Sequence, residues 1–334
     1  MQVDRNRMVV LRSRPDGLPR LEDFELVERP LAPPGPGEVL IRNSWLGLAP
    51  AARLRMNAEA SYAAPMELGG VIHGQTVGEV VASQHAGFKP GDAVLSMHSG
   101  WQRYSTSDGK SLYPIDLGLA SPQAWLGVLG SSGQTAWIGL TQIGELRAGD
   151  TVLVSAAAGA VGALAGQIAR LSGARAIGIA GGERKCRIAC DEYGYEACID
   201  YRAPDLPGRL AAACPDGVDL YFDNVGGAVR DAAWTTLRTF GRVVVCGLIS
   251  EYNDRFLPGP NWYSLLTRRL TVRGFIMSDH AQHRPAFVAE MAGWHRAGQV
   301  RLREDVTEGL ENASAAFIRM LSGGNLGKTL VRLG

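Results

Sequence analysis

The period of the apolar positions changes near residue 125. Before it, short runs such as GEVLIRNSWLGL (37–48) and VGEVVAS (77–83) have strand composition, and Pro/Gly clusters, LAPPGPGE (31–38) and GFKPGDAV (87–94), break them. Turns at this spacing predict a small barrel-like β domain. After it, AWLGVLGSSGQTAWIGLTQIG (124–144) reads as helical segments broken near Ser131-Ser132-Gly133. Strand-like and helix-like stretches then alternate. Strands are predicted at 152–155, 175–180, 197–199, 219–223, 242–246 and 271–276. Between the first two, Val161, Leu164, Ala165, Ile168 and Leu171 recur at helical spacing, so 161–171 is expected to bury one stripe. Such alternation implies a doubly wound parallel sheet, an α/β fold. The tail adds a helix at 311–322 and a strand at 328–333, whose GNLGKTLVRL (324–333) has the composition to return to the first domain.

Composition narrows this only in part. A chain of 334 residues exceeds one ordinary core, so two domains are expected. A net charge of +1 leaves no basic excess for nucleic acid. No apolar run is long enough for a bilayer span, and MQVDRNRMVVLRSRPDG has no signal-peptide core. Five cysteines (186, 190, 198, 214, 246), an odd number, make no disulfide framework. A cytoplasmic protein without membrane or nucleic-acid partners is the expectation.

In an open parallel sheet ligands bind beyond the carboxyl ends of the strands. That rule nominates Ala156–Gly162 after the first strand, Gly181–Lys185 after the second, Tyr201 after the third, Asn224 after the fourth, Gly247–Tyr252 after the fifth and Met277 after the sixth. The first loop has Ala-x-x-Gly-x-x-Gly spacing between a strand and an amphipathic helix. Small residues there let backbone N–H groups approach a pyrophosphate at a helix N-terminus. The end of the second strand has Gly181 where an NAD site presents an acid, with Lys185 in reach of a 2′-phosphate, which points to NADP. Arg184 and Lys185 as solvated charges opening a helix, and Tyr201 as a half-buried strand-end residue, stay open beside this.

Several chemistries lack their residues. There is no His-Glu-x-x-His and no Gly-x-Ser-x-Gly. Cys186 and Cys190 share a helix face without further ligands beside them in the sequence, and the six histidines do not cluster apart from His280/His283. No metal is expected.

The blocks SYAAPMELGGVIHGQTVGEVVAS, AAAGAVGALAGQIA, YFDNVGG, GRVVVCGLISEYN, RLTVRGFIM and GGNLGKTLVRL, in this order and nearly end to end, resemble the zinc-independent medium-chain dehydrogenase/reductases. The similarity is to the branch of leukotriene B4 dehydrogenase/prostaglandin reductase, alkenal double-bond reductases and bacterial curcumin reductase. The resemblance implies a GroES-like β-barrel catalytic domain (1–124 and 300–334) and a Rossmann NADP-binding domain (125–299). It implies NADPH-dependent reduction of the C=C bond of an enone or enal, and a homodimer. Two alternatives remain, a quinone reductase on the same fold and a nucleotide-binding regulatory protein without catalysis.

The cofactor contacts the resemblance implies are Gly159, Ala160, Val161 and Gly162; Gly182 of the second loop, with Lys185 on the 2′-phosphate; Tyr201; Asn224; Cys246, Gly247, Leu248, Ile249, Ser250 and Tyr252; Phe275, Ile276 and Met277; and Asn325. Tyr252 is the candidate catalytic residue, as donor to the developing enolate oxygen, with cofactor holding or packing as its other readings. Two stretches depart from the branch. Asp-Pro-Tyr-Met-Arg becomes Ala49-Pro50-Ala51-Ala52-Arg53, and Met-Pro-Gly-x-Thr-Ala-Tyr becomes Ser131 to Trp137. Ala49, Ala51, Ala52, Ser131, Ser132 and Trp137 are therefore the expected substrate-cleft residues. A lost aromatic predicts a wider cleft unless Trp137 fills it.

Overall fold

The computed structural model describes residues 4–59, 61–253 and 258–334. The chain divides into two compact units, Met1–Gly127 with Glu304–Gly334, and Val128–Arg303.

The first unit starts with β1 (Arg5–Leu11) and β2 (Phe24–Pro30), an antiparallel pair. Next come β3 (Val39–Gly47), the one-turn helix α1 (Ala51–Leu54), β4 (Gln75–Ser83), β5 (Ala93–Ser96), β6 (Tyr104–Ser107) and β7 (Leu112–Pro114). The Pro/Gly clusters lie at the ends of these strands, as their backbone preferences require. Helix α2 (Pro122–Leu126) opens on Ser121, whose Oγ accepts from the Ala124 N–H at 3.2 Å, with proline in the first turn, where its missing N–H costs nothing.

The second unit starts with α3 (Ser131–Ile138). The predicted break falls earlier, at 127–130, and Ser131, Ser132 and Gly133 open the helix rather than interrupt it. Gly133 is there for packing: a Cβ on it would lie 1.9 Å from the Val128 carbonyl oxygen. Then come β8 (Thr151–Ser155), α4 (Ala160–Leu171), β9 (Arg175–Ala180), α5 (Glu183–Tyr193), β10 (Ala197–Asp200), α6 (Leu206–Ala213), β11 (Val218–Asp223), α7 (Gly227–Thr236), β12 (Leu237–Val245), α8 (Trp262–Thr267), β13 (Thr271–Gly274) and α9 (Arg284–Arg296). The six strands form one parallel sheet in the order β10-β9-β8-β11-β12-β13. The order reverses between β8 and β11, which is where a doubly wound sheet opens its ligand crevice. In α4, Leu164, Ala165 and Ile168 are buried as predicted, while Val161 and Leu171 are only half-buried. Gly162, Ala163 and Ala169 are buried as well, because α3 packs against the helix and widens the stripe. Strand β13 stops at Gly274, so Phe275 and Ile276 follow the strand instead of ending it.

The chain completes the first unit with β14 (Glu304–Glu308), α10 (Ala313–Leu321) and β15 (Lys328–Arg332). Leu330–Arg332 pair antiparallel with Trp45–Gly47, which makes a sheet of order β14-β15-β3-β4-β5-β7 with β6 beside β3. The predicted helix 311–322 is α10 preceded by a 3-10 turn, Leu310–Asn312. Its apolar face, Ala316, Phe317 and Met320, joins Leu11, Leu46, Met56 and Trp101 in one core. No helix among the described residues is long and apolar enough to cross a membrane.

Candidate active site

The turn from β8 into α4 is built around close backbone approaches. Ala156 takes a left-handed conformation (φ 52°), and its carbonyl accepts from the Gly159 N–H at 2.8 Å. A Cβ on Gly162 would lie 2.2 Å from that carbonyl oxygen and 3.0 Å from the Ala157 Cα. Tyr195 seals the underside of α4. Its ring occupies the space a Cβ on Gly166 would need, at 2.2 Å, and its hydroxyl donates to the Gly162 carbonyl at 2.6 Å. The chain therefore enters α4 with Gly159 as its cap and no side-chain cap. The N–H groups of Ala160, Val161 and Gly162 have no intrahelical acceptor in any α-helix.

The neighbouring helices show what this means. Asp205 caps α6 and Asn261 caps α8 through their side chains. At the start of α7 the Gly227 N–H donates to Glu251 Oε1 at 2.9 Å, and the Val225 and Gly226 N–H groups donate to Asp223 Oδ1 at 2.9 and 3.0 Å. At the switch point α4 alone is left to an outside anion, which is what a pyrophosphate supplies. The residues fit a dinucleotide.

At the end of β9, α5 also starts without a side-chain cap, on Gly182 at φ 95°. Gly181 has a reason beyond avoiding an acid: a Cβ there would lie 2.9 Å from the Tyr201 ring. Tyr201 is exposed and lies across this turn, and the Arg202 guanidinium stands over its ring at 5.9 Å. Arg202 Nη1 is also 3.6 Å from where a Gly182 Cβ would be, so a cation beyond Lys185 faces the turn. An acid is present too. Asp200, at the end of β10, accepts from the Gly182 and Arg202 N–H groups at 2.8 and 3.0 Å. The carboxylate is thus held by backbone donors, which with the two nearby arginines outweigh its partial desolvation and lower its pKa.

The loops after β11 and β12 are locked by a buried carboxylate. Asp223 Oδ1 accepts from Ser155 Oγ at 3.1 Å and Tyr221 Oη at 2.8 Å as well as from the two backbone groups above. Burial pushes its pKa up, and the four donors pull it back only in part. Ser155 Oγ in turn accepts from the Asn224 N–H at 2.8 Å, and Asn224 Nδ2 donates to the Ser155 carbonyl at 2.7 Å. Asn224 is thereby pinned to the end of β8, beside the glycine turn. The next loop hangs on the same frame. Cys246 and Gly247 donate backbone N–H groups to the Asp223 carbonyl at 2.8 and 3.1 Å, Ile249 to that of Asn224 and Ser250 to that of Val225. Burial pushes the Cys246 thiol up to about 12, so it stays a thiol. Tyr252 Oη, 3.1 Å from where a Gly247 Cβ would lie, accepts from the Leu248 N–H at 3.3 Å. Glu251 holds the loop from below through Arg230 Nη1 at 3.0 Å, and Arg230 Nη2 binds the Pro258 carbonyl at 2.8 Å.

Asn224 and Cys246–Tyr252 thus meet through hydrogen bonds at one end of the sheet, with Asn224 tied to Ser155, where β8 ends ahead of Gly159–Gly162. Gly182, Lys185 and Tyr201 gather at the β9 end of the same edge. Phe275, Ile276 and Met277 follow β13 directly, and Phe275 packs against Gly139 and His280. Asn325 lies in the first unit, with Nδ2 on the Gly327 carbonyl at 3.2 Å.

The cleft residues separate into two kinds. Ala49 and Ala51 are half-buried, but Ala52 is a core residue, packed with Leu48, Met56 and Phe317. It cannot face a substrate, because helical geometry turns it inward from Ala51. Ser131 is half-buried and Ser132 is buried. Trp137 is also buried, its indole N–H given to Glu290 Oε2 at 2.6 Å and its ring flanked by His283 and Phe287. It belongs to the packing of α3 on α9. Ser155, Asp223, Arg230 and Arg202 lie outside the nominated positions. An acid ending the apolar run VDLYFD was the visible signal for Asp223. Among the described residues, no three His, Cys, Asp or Glu side chains are grouped as metal ligands.

Two family descriptions match the chain: "N-terminal domain of oxidoreductase" over residues 7–115 and "Zinc-binding dehydrogenase" over residues 160–293. The NADPH-dependent curcumin reductase of Escherichia coli (strain K12) is 45% identical, covering 99% of this chain and 98% of the relative. The NADP(+)-dependent 2-alkenal reductase of Nicotiana tabacum is 34% identical over 98% of this chain and 97% of its own. The structure of CurA in complex with NADPH from Vibrio vulnificus superposes with a TM-score of 0.93 at 44% identity, covering 98% and 99% of the two chains.

Proposed function

The chain belongs to the medium-chain dehydrogenase/reductase family, in the branch of the curcumin and 2-alkenal reductases, and on that premise we propose that it uses NADPH to reduce the conjugated C=C bond of enones and enals. The observation that carries this reading is the uncapped start of α4 at the switch point, with Asn224 tied beside it. When bound, NADPH supplies a hydride to the β-carbon of the substrate.

The chain's own residues hold, orient and donate. The N–H groups of Ala160, Val161 and Gly162 receive the pyrophosphate. Lys185 and Tyr201 take the 2′-phosphate end, and Arg202 adds a cation there. Asn224 and the Cys246–Tyr252 loop, made rigid through Asp223 and Glu251, set the nicotinamide end, with Phe275–Met277 beside them. Charge building on the substrate oxygen needs preset donors. Tyr252, whose oxygen is already fixed by Leu248, is the donor we assign. Its O–H supports the enolate while a proton reaches the α-carbon. Asn325 joins the cofactor contacts by family likeness. Ala49 and Ala51 of the first unit and Ser131 of the second are the residues we assign to substrate contact by family likeness, and the lost aromatic at Ala51 is why we propose bulky enones as the preferred substrates.

We further propose a cytoplasmic homodimer. Five free thiols suit a reducing compartment. The edge strand β13 is exposed throughout, and Phe240, Trp262, Tyr263, Leu266 and Val272 stand exposed on the same unit. An open apolar edge of this kind is normally covered.

The test follows NADPH absorbance with an aromatic enone and a short 2-alkenal, with product identification. A saturated carbonyl product is expected. No NADPH consumption with any conjugated carbonyl, or turnover with quinones alone, would refute the reading. Sedimentation of the purified chain at micromolar concentration checks the dimer.

A further inference from the structure

We propose that the first unit carries an anion site of its own, a cavity of about 200 Å³ walled by Arg5, Arg7, Arg42 and Arg103, which takes a phosphate- or carboxylate-type oxyanion. None of these residues takes part in the cofactor or substrate contacts above. The site arises from strand pairing. Register places Arg7 opposite Glu28 across β1 and β2, and Arg42 opposite Tyr104 across β3 and β6. Arg103 immediately precedes β6. Glu28, Tyr104 and Gly334 complete the wall.

Four guanidiniums face two carboxylates in the lining, that of Glu28 and the main-chain carboxylate of Gly334, so positive charge is in excess there. The carboxylates present do not balance it well. Glu28 is shared between Arg5 Nε at 3.4 Å and Arg7 Nε at 3.7 Å, and Arg7 reaches Glu311 only at 3.8 Å. Charge-assisted hydrogen bonds are about 2.7–2.9 Å long, so these pairs are loose. Arg42 is better paired, with Glu79 at 2.9 Å. The second observation is independent of the charge count. Arg103 Nε is buried without a hydrogen-bond partner. A buried N–H left unmade is costly and rare, and it signals a missing partner. A planar guanidinium fork matches the oxygens of a phosphate or carboxylate, and the Tyr104 hydroxyl adds another donor. The cavity holds several times the roughly 30 Å³ share of one water in liquid, enough for a tetrahedral oxyanion.

The experiment titrates inorganic phosphate and, separately, malonate into the full chain saturated with NADP+, at constant ionic strength. Calorimetry and the melting temperature are both read. Saturating the cofactor site removes its own phosphate pockets from the measurement. One probe should bind saturably and raise the melting temperature. Arg103→Met should weaken that binding by about tenfold or more while leaving NADPH affinity and turnover unchanged. Binding by phosphate assigns a phosphorylated ligand, and binding by malonate a carboxylate. If Arg103→Met does not fold, Arg5→Gln replaces it, since Arg5 is exposed and outside the core. Saturable binding of neither probe overturns the proposal, and so does binding that the arginine variants do not weaken.

Discussion

The two units build their functional segments from opposite materials. In the second unit the segment proposed to grip the cofactor is backbone and small residues: Gly162, Gly166 and Gly178 each face atoms 2.2–2.7 Å from where a Cβ would be. Its most buried acid, Asp223, is wrapped by four neutral donors. In the first unit the turn carrying Ala49–Arg53 is held by buried or half-buried cations that grip carbonyls. Lys328 Nζ donates to the Leu48 carbonyl at 3.0 Å, and Arg53 to those of Gly17 and Pro15 and to Asn57 Oδ1. Arg14 clamps the carbonyls of Met56, Asn57 and Met66. The same unit buries most of His73, whose pKa is lowered to about 3, chiefly by desolvation, with Arg55 and the adjacent His98 ring adding to it. The first design is intolerant of volume. The second is sensitive to charge.

The sharpest way to break that contrast is Gly162→Val. Its new Cβ falls 2.2 Å from the Ala156 carbonyl oxygen, so the turn must open. A loss of about 3 kcal/mol or more is expected, with NADPH binding lost in a fluorescence titration. Wild-type melting and binding would show that the turn yields easily and that volume is not its constraint.

Charge is tested next, by Lys328→Met. Burial lowers the Lys328 pKa to about 8 from its usual 10.5. At 1.36 kcal/mol per unit, this is a penalty on the order of 3 kcal/mol. The unfolded chain keeps this proton up to pH 10.5. Below about pH 8 both states are protonated and the penalty is complete. Between pH 8 and 10.5 the folded state loses the proton first, so stability rises with pH and the penalty fades. The methionine variant should melt higher than wild type at pH 7, and that advantage should shrink toward pH 10. A difference that ignores pH would mean the ammonium is not what strains this site.

Lys185→Ala asks whether a single side-chain charge matters in the backbone-built site. A charge-assisted contact contributes about 1.5–3 kcal/mol, so NADPH affinity should fall about tenfold or more with NADH nearly unchanged. Equal losses for both nucleotides would remove Lys185 from the 2′-phosphate.

The smallest effect is expected from Ala51→Tyr, which restores bulk on the half-buried side of α1. The kcat/KM for a large enone should drop about tenfold relative to a small one, within the 1–3 kcal/mol that such pockets discriminate. Ala52→Met is the control, since Ala52 is in the core and bulk there should lower the melting temperature. Identical changes for both substrates with Ala51→Tyr would take that residue out of the pocket.

Much of the second unit was legible from local pattern. Strand 175–180 stands where its residues predict, and the 3.6-residue stripe of α4 and its small-residue entrance are local signals read in one window. Strand β12 begins five residues earlier than its apolar run, because Leu237 pairs with Val218 ahead of Phe240-Gly241, where Phe240 takes φ 64°. Ser131–Gly133 was misread because small residues look like breakers when their neighbours are unknown.

By itself, then, the sequence determined the alternation of strands and helices in the second unit, the glycine-bearing turn at the end of β8 and the choice of NADP, because each depends on residues a few positions apart. Only the tertiary structure decided what holds those loops. Ser155 meets Asp223 from 68 residues away, and Lys328 reaches Leu48 from 280. It also decided that Ala52 and Trp137 are packing residues, and that Arg5 and Arg7 of β1, Arg42 of β3 and Arg103 before β6 share one cavity. Such pairings are set by sheet register and burial, and no local periodicity encodes which distant carbonyl a lysine will find.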